Sequence, residues 1–159
     1  MIPYIRLLFV TFVTSLVFLL PVSAHNYNDN GICTDDGCTD IYQPPMLEDG
    51  WYLLANAGNV EWFSALVNQG GNDTNLRGRL VADIDFTGVT HAPIGVGEGT
   101  KFNGQLDGQG HRILNLKIRS TSNLQGFFGG LRGGGTTIRN LNRRDNRRSE
   151  ERFSRNAET

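Results

Sequence analysis

The sequence predicts an all-β protein: a short right-handed parallel β-helix, a solenoid of stacked circuits with an N-terminal capping α-helix. Short strand-like runs separated by Gly and Asp begin at residue 79, and a stretch of 15 residues recurs at an offset of 25. A repeat of that period without helical patterning is typical of stacked β units. The chain has 159 residues and 20 glycines, which lack the every-third spacing of collagen.

The nearly neutral charge of the chain argues against some classes of binding partner and indicates none. The formal net charge is −1, which gives no reason to expect nucleic acid or an anionic membrane. We therefore predict no nucleic-acid partner, and no motif calls for a cofactor.

Residues 1–24 have the pattern of a signal peptide. Arg6 supplies a positive charge, an apolar run of 14 residues follows from Leu7, and Ala24 has a small side chain. This pattern predicts cleavage between Ala24 and His25. A transmembrane anchor is the alternative, but a span needs about 20 apolar residues. No second run of that length follows, so we expect a secreted or cell-surface (extracellular) protein without a transmembrane span in the mature chain.

The two cysteines of the chain bracket a short turn. Cys33 and Cys38 enclose Thr-Asp-Asp-Gly, and Asp36-Gly37 is a common turn pair. In an oxidising compartment this loop is expected to close as a disulfide. Metal binding is the alternative, but two thiols alone do not complete a zinc site, so no metal site is predicted.

The mature chain begins with a polar lead-in, residues 25–49, that we expect to be flexible. Trp51 to Leu54 then predicts a short buried strand, and Asn59 predicts the start of a helix with Glu61 in its first turn. Trp62 and Phe63 belong to the apolar side of this helix, so they are interpreted as core rather than as a sugar platform. Gly70 can end the helix.

The repeat defines residues 50–141 as the predicted β-helix. Residues 80, 82, 84 and 86 alternate as apolar positions, and residues 102–116 can be laid over residues 127–141 without a gap. Stacking at this offset would place Phe102 on Phe127, Leu106 on Leu131, Ile113 on Ile138 and Asn115 on Asn140.

The same segment resembles a known family. Gly126-Phe127-Phe128-Gly129 followed by Thr137-Ile138-Arg139-Asn140-Leu141 is similar to the GLUG repeat of large secreted or surface-attached bacterial proteins, which include adhesins and IgA-specific metallopeptidases. The resemblance implies a right-handed parallel β-helix and surface exposure. The zinc chemistry of the peptidases is not implied, because the chain has no H-E-x-x-H motif.

Residues 142–159 depart from the repeat pattern. They contain six Arg, four acidic residues and one aromatic residue. This composition predicts a disordered or frame-shifted tail, with the repeat array truncated after its second repeat. A basic tail for anionic glycans or nucleic acid is the alternative. The interspersed acids leave a charge of only +2, which argues against strong polyanion binding.

Three aspartates are the candidate acidic site. Asp83 and Asp85 share one face of a strand, and with Asp107 they could form the carboxylate cluster of a polysaccharide lyase or glycosidase, or hold Ca²⁺. A simpler interpretation is that the first two face solvent and that Asp107-Gly108 forms a turn.

The remaining candidates have ordinary structural interpretations. His25, His91 and His111 have no partners visible in the sequence pattern, so structural roles are expected. The glycine-rich stretch from Gly95 to Gly99 leads into a strand rather than a helix, which argues against a nucleotide loop. Asn72-Asp73-Thr74 is a glycosylation sequon that matters only if the source glycosylates exported proteins.

These observations predict a non-enzymatic secreted or cell-surface protein, the N-terminal portion of an adhesin-like β-helix that displays a binding surface. The expected partner is a host or matrix protein or a glycan. One alternative is an extracellular carbohydrate-active fragment of the lyase or glycosidase type, with the three aspartates as its acids. Another is a purely structural surface stalk.

Overall fold

The computed structural model describes residues 25–39, 41–70, 75–119 and 125–143. The predicted signal peptide, the sequon at 72–74 and residues 144–159 lie outside this part of the chain. The described residues form these elements: β1 (Met46–Glu48), β2 (Trp51–Leu54), α1 (Ala57–Asn68), β3 (Arg77–Leu80), β4 (Ile84–Asp85), β5 (Thr90–His91), β6 (Gln105–Asp107), β7 (Arg112–Leu114), β8 (Lys117–Ile118), β9 (Thr137–Arg139) and β10 (Asn142–Arg143).

The strands are arranged in three small sheets. The largest has five strands in the order β1-β2-β3-β6-β9, a second has the order β10-β7-β4, and β5 pairs with β8. Strand β1 runs antiparallel to β2, whereas β2, β3, β6 and β9 pair in parallel. The five-stranded sheet is therefore mixed.

The predicted fold class, an all-β right-handed parallel β-helix with a capping helix, is wrong. The described residues form a small five-stranded mixed sheet, two smaller parallel sheets and one short helix, and their strands are only two to four residues long. The helix contributes to the common core, since Phe63 is fully buried and its ring lies 6.0 Å from that of Phe102.

The predicted stacking register is also wrong. Leu106 pairs with Ile138 rather than with Leu131, and Phe102 bridges to Leu131 rather than to Phe127. The offset between paired residues is already 29 at Phe102 and Leu131, and the turn at residues 133–135 raises it to 32 at Leu106 and Ile138. An alignment without a gap at an offset of 25 therefore matches residues that are not neighbours in space.

Helix α1 begins two residues earlier than the sequence predicts. Asn56 is its N-cap and accepts a hydrogen bond from the backbone N–H of Asn59 at 2.8 Å. Asn59 instead binds outside the helix: its side chain accepts from the N–H of Ala55 and donates to the carbonyl of Gln43. Its amide therefore joins the helix to the lead-in. The helix ends at Asn68, and the following Gly70 has a left-handed φ of 111°.

The predicted alternation along residues 80–86 is present in the burial pattern. Leu80, Ile84 and Phe86 are at most 1% exposed, whereas Val81 is 43% exposed. These inward side chains share one core with α1, Ile94 and Leu106.

The lead-in that the sequence predicts to be flexible is hydrogen-bonded to the rest of the protein. The N–H of Gly58 donates to Asn30 at 2.7 Å, and the Asn30 amide donates to the carbonyl of Thr87 at 3.1 Å. Strand β1, which belongs to the same segment, pairs with β2. In the described part of the chain, no helix is long and apolar enough to cross a bilayer.

Candidate functional site

One face of the five-stranded sheet points away from the core, and most of the side chains on this face are polar or charged. Because side chains alternate between the faces of a strand, the residues that flank the inward-facing Leu54, Gly78 and Leu106 share this outer side. We call this set the outer sheet face: Met46, Glu48, Trp51, Leu53, Arg77, Arg79, Gln105, Asp107, Thr137 and Arg139.

Two arginines stack on a tryptophan in the middle of the outer sheet face. The guanidinium carbon of Arg79 lies 4.6 Å from the Trp51 ring centroid, and that of Arg77 lies 5.7 Å away. Both distances are within the range of cation–π attraction, about 6 Å. No ion pair within the described residues involves either arginine. Neither guanidinium group therefore has a carboxylate at ion-pair distance in the described residues, although Asp107 lies opposite Arg79 on β6 and is itself paired with Arg139.

The same arginines have an unsatisfied group beneath the surface. The Nε atoms of Arg77 and Arg79 are buried and have no hydrogen-bond partner among the described residues. A buried donor without a partner costs about 1–3 kcal/mol, so each such group in a folded protein calls for an explanation.

Asp107, on the outer sheet face, is a structural carboxylate. It is 1% exposed and receives the Arg139 guanidinium at 2.6 Å. Burial raises its pKa, but hydrogen bonds from the Gln109 backbone, the Asn140 amide and Arg139 outweigh burial, so the pKa is lowered overall. These bonds hold the carboxylate in its charged form.

The other two candidate aspartates are occupied in a similar way. Hydrogen bonds from the backbone and side chain of Arg112 lower the pKa of Asp83, with guanidinium distances of 2.6 and 2.9 Å. The Asn115 amide, followed by Thr87, lowers the pKa of Asp85. A general acid needs a raised pKa, whereas the pKa values of these two carboxylates are lowered.

Asn115 and Asn140 take equivalent positions, although not through the predicted stacking. Each has a left-handed backbone, with φ of 51° and 54°. Each side-chain amide donates to an aspartate of a preceding strand: Asn115 to Asp85 at 2.8 Å and Asn140 to Asp107 at 3.1 Å. Asn tolerates this backbone conformation better than most residues, and here it also supplies the donor.

A histidine and a glutamate form a fully buried pair between α1 and β5. His91 Nδ1 lies 2.5 Å from Glu61 Oε1, and His91 Nε2 lies 2.9 Å from the carbonyl oxygen of Phe127. The other Glu61 oxygen accepts the N–H of Ala92. The sequence predicts Glu61 in the first turn, where it would interact favourably with the helix dipole. It instead lies further along the helix and anchors α1 to β5 and the residue that follows it.

Each of the three histidines lies beside a carboxylate that the sequence pattern does not reveal. Besides the buried pair, His111 Nδ1 is 3.5 Å from Asp83, and His25 Nδ1 is 3.9 Å from Asp35. All three partners are distant enough in the chain that only the folded arrangement brings them together.

The predicted disulfide between Cys33 and Cys38 is present, with an S–S distance of 1.99 Å. His25, the residue that follows the predicted cleavage point, is adjacent to it. Its Nδ1 lies 3.3 Å from Cys38 Sγ and 3.8 Å from Cys33 Sγ. No local pattern predicts this proximity, because His25 and the cysteines are separated by a polar loop.

A second surface feature is a groove of about 280 Å³ between the lead-in and α1, with Tyr42, Trp62 and Leu66 among its lining residues. The interpretation of Trp62 as core is therefore only partly right. Its ring packs 5.6 Å from that of Tyr52, but the side chain also borders the groove. Phe63, its neighbour, is fully buried as expected.

The glycine-rich stretch at 95–99 is engaged by protein groups. The backbone N–H groups of Gly95 and Val96 donate to the Asn68 side chain, and that of Gly97 donates to Thr100. These amides are therefore not free to hold a phosphate.

No protein-family model, curated protein or solved structure matches the chain, so the resemblance to the GLUG repeat depends on its motif residues alone.

Proposed function

We propose that this protein is a non-enzymatic, secreted or cell-surface binding protein that holds an acidic glycan on its outer sheet face. The observation that carries the proposal is that the guanidinium groups of Arg77 and Arg79 lie over the Trp51 ring and have no ion pair in the described residues. The predicted signal peptide and the Cys33–Cys38 disulfide support an extracellular location, since disulfides persist in oxidising compartments. The resemblance to a family that includes adhesins agrees with a binding role.

The chemistry of the face fits a carboxylated or sulfated sugar. A guanidinium group presents a planar fork of donors that matches carboxylate and other oxyanion groups in a bidentate manner. Arg77 and Arg79 are two residues apart on β3, so their Cα atoms lie about 7 Å apart and their side chains leave the same side of the strand. Gln105, opposite Arg77 on β6, adds an amide that can bind sugar hydroxyls.

The surroundings favour an anionic ligand over a neutral one. Arg139 is already paired with Asp107, so the charge left for a ligand comes from the two arginines of β3. Glu48, opposite Trp51 on the edge strand, is the one acidic side chain of the outer sheet face without an ion pair in the described residues. Its negative charge would repel an acidic polysaccharide and restrict it to the side of Trp51 nearer β3.

The carbohydrate-active alternative has less support. The three aspartates it requires are each held by a cation or an amide, with lowered pKa values. No observation singles out the alternative of a purely structural stalk, which does not require the unneutralised arginines.

Binding to immobilised polysaccharides tests the proposal. The full chain is applied to beads that carry a sulfated or uronate-containing polysaccharide and to beads that carry a neutral glucan. We expect retention on the acidic beads alone and elution by salt, because salt screens exposed charges. Reducing ends released during the incubation are measured in parallel, and their appearance would support the enzymatic alternative instead.

Two double variants with the same change in net charge identify the surface. Arg77→Gln with Arg79→Gln removes the proposed contacts, and Arg119→Gln with Arg132→Gln removes two exposed positive charges elsewhere. We expect the first pair to weaken binding at least about tenfold, which corresponds to about 1.4 kcal/mol, and the second pair to leave it within about twofold. Equal losses in both variants, or no preference for acidic beads, would overturn the proposal.

A further inference from the structure

A cluster of metal-binding atoms lies in the lead-in, away from the outer sheet face. His25, Cys33 and Cys38 each offer one ligand atom, and these atoms all lie within 4.8 Å of one another. The Cys33 and Cys38 sulfurs are joined in the disulfide, so in this state they are not thiolates. The carboxylate of Asp35 lies 3.9 Å from the same imidazole nitrogen.

The distances from the imidazole to the two sulfurs match those of a tetrahedral zinc site. With Zn–S bonds of about 2.3 Å and Zn–N bonds of about 2.0–2.1 Å, tetrahedral angles put sulfur and nitrogen ligands about 3.6 Å apart. The observed distances from His25 Nδ1 are 3.3 Å to Cys38 Sγ and 3.8 Å to Cys33 Sγ. The imidazole is thus already at ligand distance from both sulfurs.

The loop can accommodate the remaining change. In a tetrahedral site the two sulfurs would be about 3.8 Å apart, so reduction must let them separate from their bonded distance. Four residues lie between the cysteines, which is within the usual C-x₂₋₄-C spacing of structural zinc sites. The turn contains Gly37 in a left-handed conformation, with φ of 74°, and a Cβ at Gly37 would meet no atom within 4 Å. The loop therefore has space on its outer side.

We infer that reduction of the Cys33–Cys38 disulfide creates a divalent transition-metal site, with His25 as the third ligand and the Asp35 carboxylate beside the fourth position. The disulfide and the metal exclude each other, since they use the same two sulfurs. The lead-in would then be held closed by a disulfide under oxidising conditions and by Zn²⁺ under reducing conditions.

The two states are connected by a balanced reaction. A dithiol reductant transfers two electrons and two protons to the disulfide, the S–S bond breaks, and the reductant becomes a cyclic disulfide. Binding of Zn²⁺ then releases one proton from each thiol to solvent, because the thiolate is the ligand. Metal binding should therefore release two protons per ion and should strengthen as the pH rises.

Cobalt titration of the untagged full chain tests this site. The chain is reduced with a dithiol, freed of reductant without oxygen and titrated with Co²⁺, whose thiolate charge-transfer absorption reports Co–S bonds directly. We expect one equivalent to bind to the reduced chain and to be displaced by Zn²⁺, with no charge-transfer absorption from the oxidised chain.

His25→Ala separates a built site from simple binding to two thiols. This variant keeps both cysteines, and we expect its affinity for Co²⁺ to fall at least tenfold. His111→Ala, which removes another partly exposed histidine beside an aspartate, should bind as the wild type does. The inference is overturned if the reduced wild type shows no charge-transfer absorption, or if His25→Ala binds as tightly as the wild type. Circular dichroism of each variant checks that the fold is kept.

Discussion

The buried pair of Glu61 and His91 allows a sharp test of what anchors α1 to the sheet. Both imidazole nitrogens face acceptor oxygens, one from Glu61 and one from the carbonyl of Phe127. The carboxylate also accepts the N–H of Ala92 at 3.0 Å. Glu61 therefore satisfies two buried groups, and the pair must hold two protons in total for all these contacts to be hydrogen bonds.

Two substitutions at Glu61 should differ strongly. Glu61→Ala leaves the His91 Nδ1 and the Ala92 N–H buried without partners, and breaking a buried pair in this way costs about 3–5 kcal/mol. Glu61→Gln keeps both contacts: its carbonyl oxygen can accept from Ala92, and its amide can donate to Nδ1 of a neutral imidazole that is protonated on Nε2. We expect this variant to lose about 1 kcal/mol, the difference between a charge-assisted and a neutral hydrogen bond.

The measurement is the free energy of unfolding by urea, followed by circular dichroism. Glu98→Ala serves as the control, since Glu98 is 91% exposed and its ion pair with Lys101 should contribute little to stability because solvent screens it. The reasoning is refuted if Glu61→Ala and Glu61→Gln destabilise the protein equally, or if neither differs from the control.

Three further substitutions have expected signs that the structure sets. Gly58→Ala should destabilise the protein although alanine favours helices by about 1 kcal/mol, because its Cβ would overlap the carbonyl oxygen of Gly31. Gly133→Ala, which meets nothing within 4 Å, should be close to neutral, and a larger loss there would contradict this account. Phe63→Ala should cost about 3–5 kcal/mol in urea unfolding, since the ring is fully buried, and a loss below about 1 kcal/mol would show that the ring is not in the core. Asp107 has a lowered pKa in the folded protein, so its contribution to stability is present above the unfolded pKa of about 3.9 and is lost as the pH falls through the folded pKa. Asp107→Asn should therefore flatten the fall of the unfolding free energy in acid. An unchanged dependence of stability on pH would contradict the lowered pKa.

Local features of this chain could be predicted from its sequence because they depend on neighbouring residues. The strand at Trp51 to Leu54, the disulfide and the burial alternation from residue 80 are of this kind. The N-cap of helix α1 is predicted three residues late, because Asn56 and Asn59 are both good capping residues and only the tertiary contact of Asn59 with Gln43 separates their roles.

The fold and the candidate site could not be predicted in the same way. The apparent 25-residue repeat predicts equal circuits, but the paired residues are 29 apart at Phe102 and Leu131 and 32 apart at Leu106 and Ile138. The antiparallel β1 has no signal in the repeat. Arg77 and Arg79 lie before the repeated segment, and their alternation around Gly78 is recognisable only once β3 is paired on both sides. The pattern of two cations flanking a small inward residue was present in the sequence, but nothing local connects it to Trp51.

Tryptophan fluorescence tests the central claim, binding at the outer sheet face, most directly. The chain has two tryptophans: Trp51 lies beneath the two arginines and Trp62 borders the groove. Trp62→Phe leaves Trp51 as the sole reporter, and Trp51→Phe leaves Trp62. On titration with an acidic polysaccharide, we expect a saturable change in the emission of Trp62→Phe, reversed by salt, and no change in that of Trp51→Phe. A change confined to Trp51→Phe, or none in either variant, would contradict binding at this face.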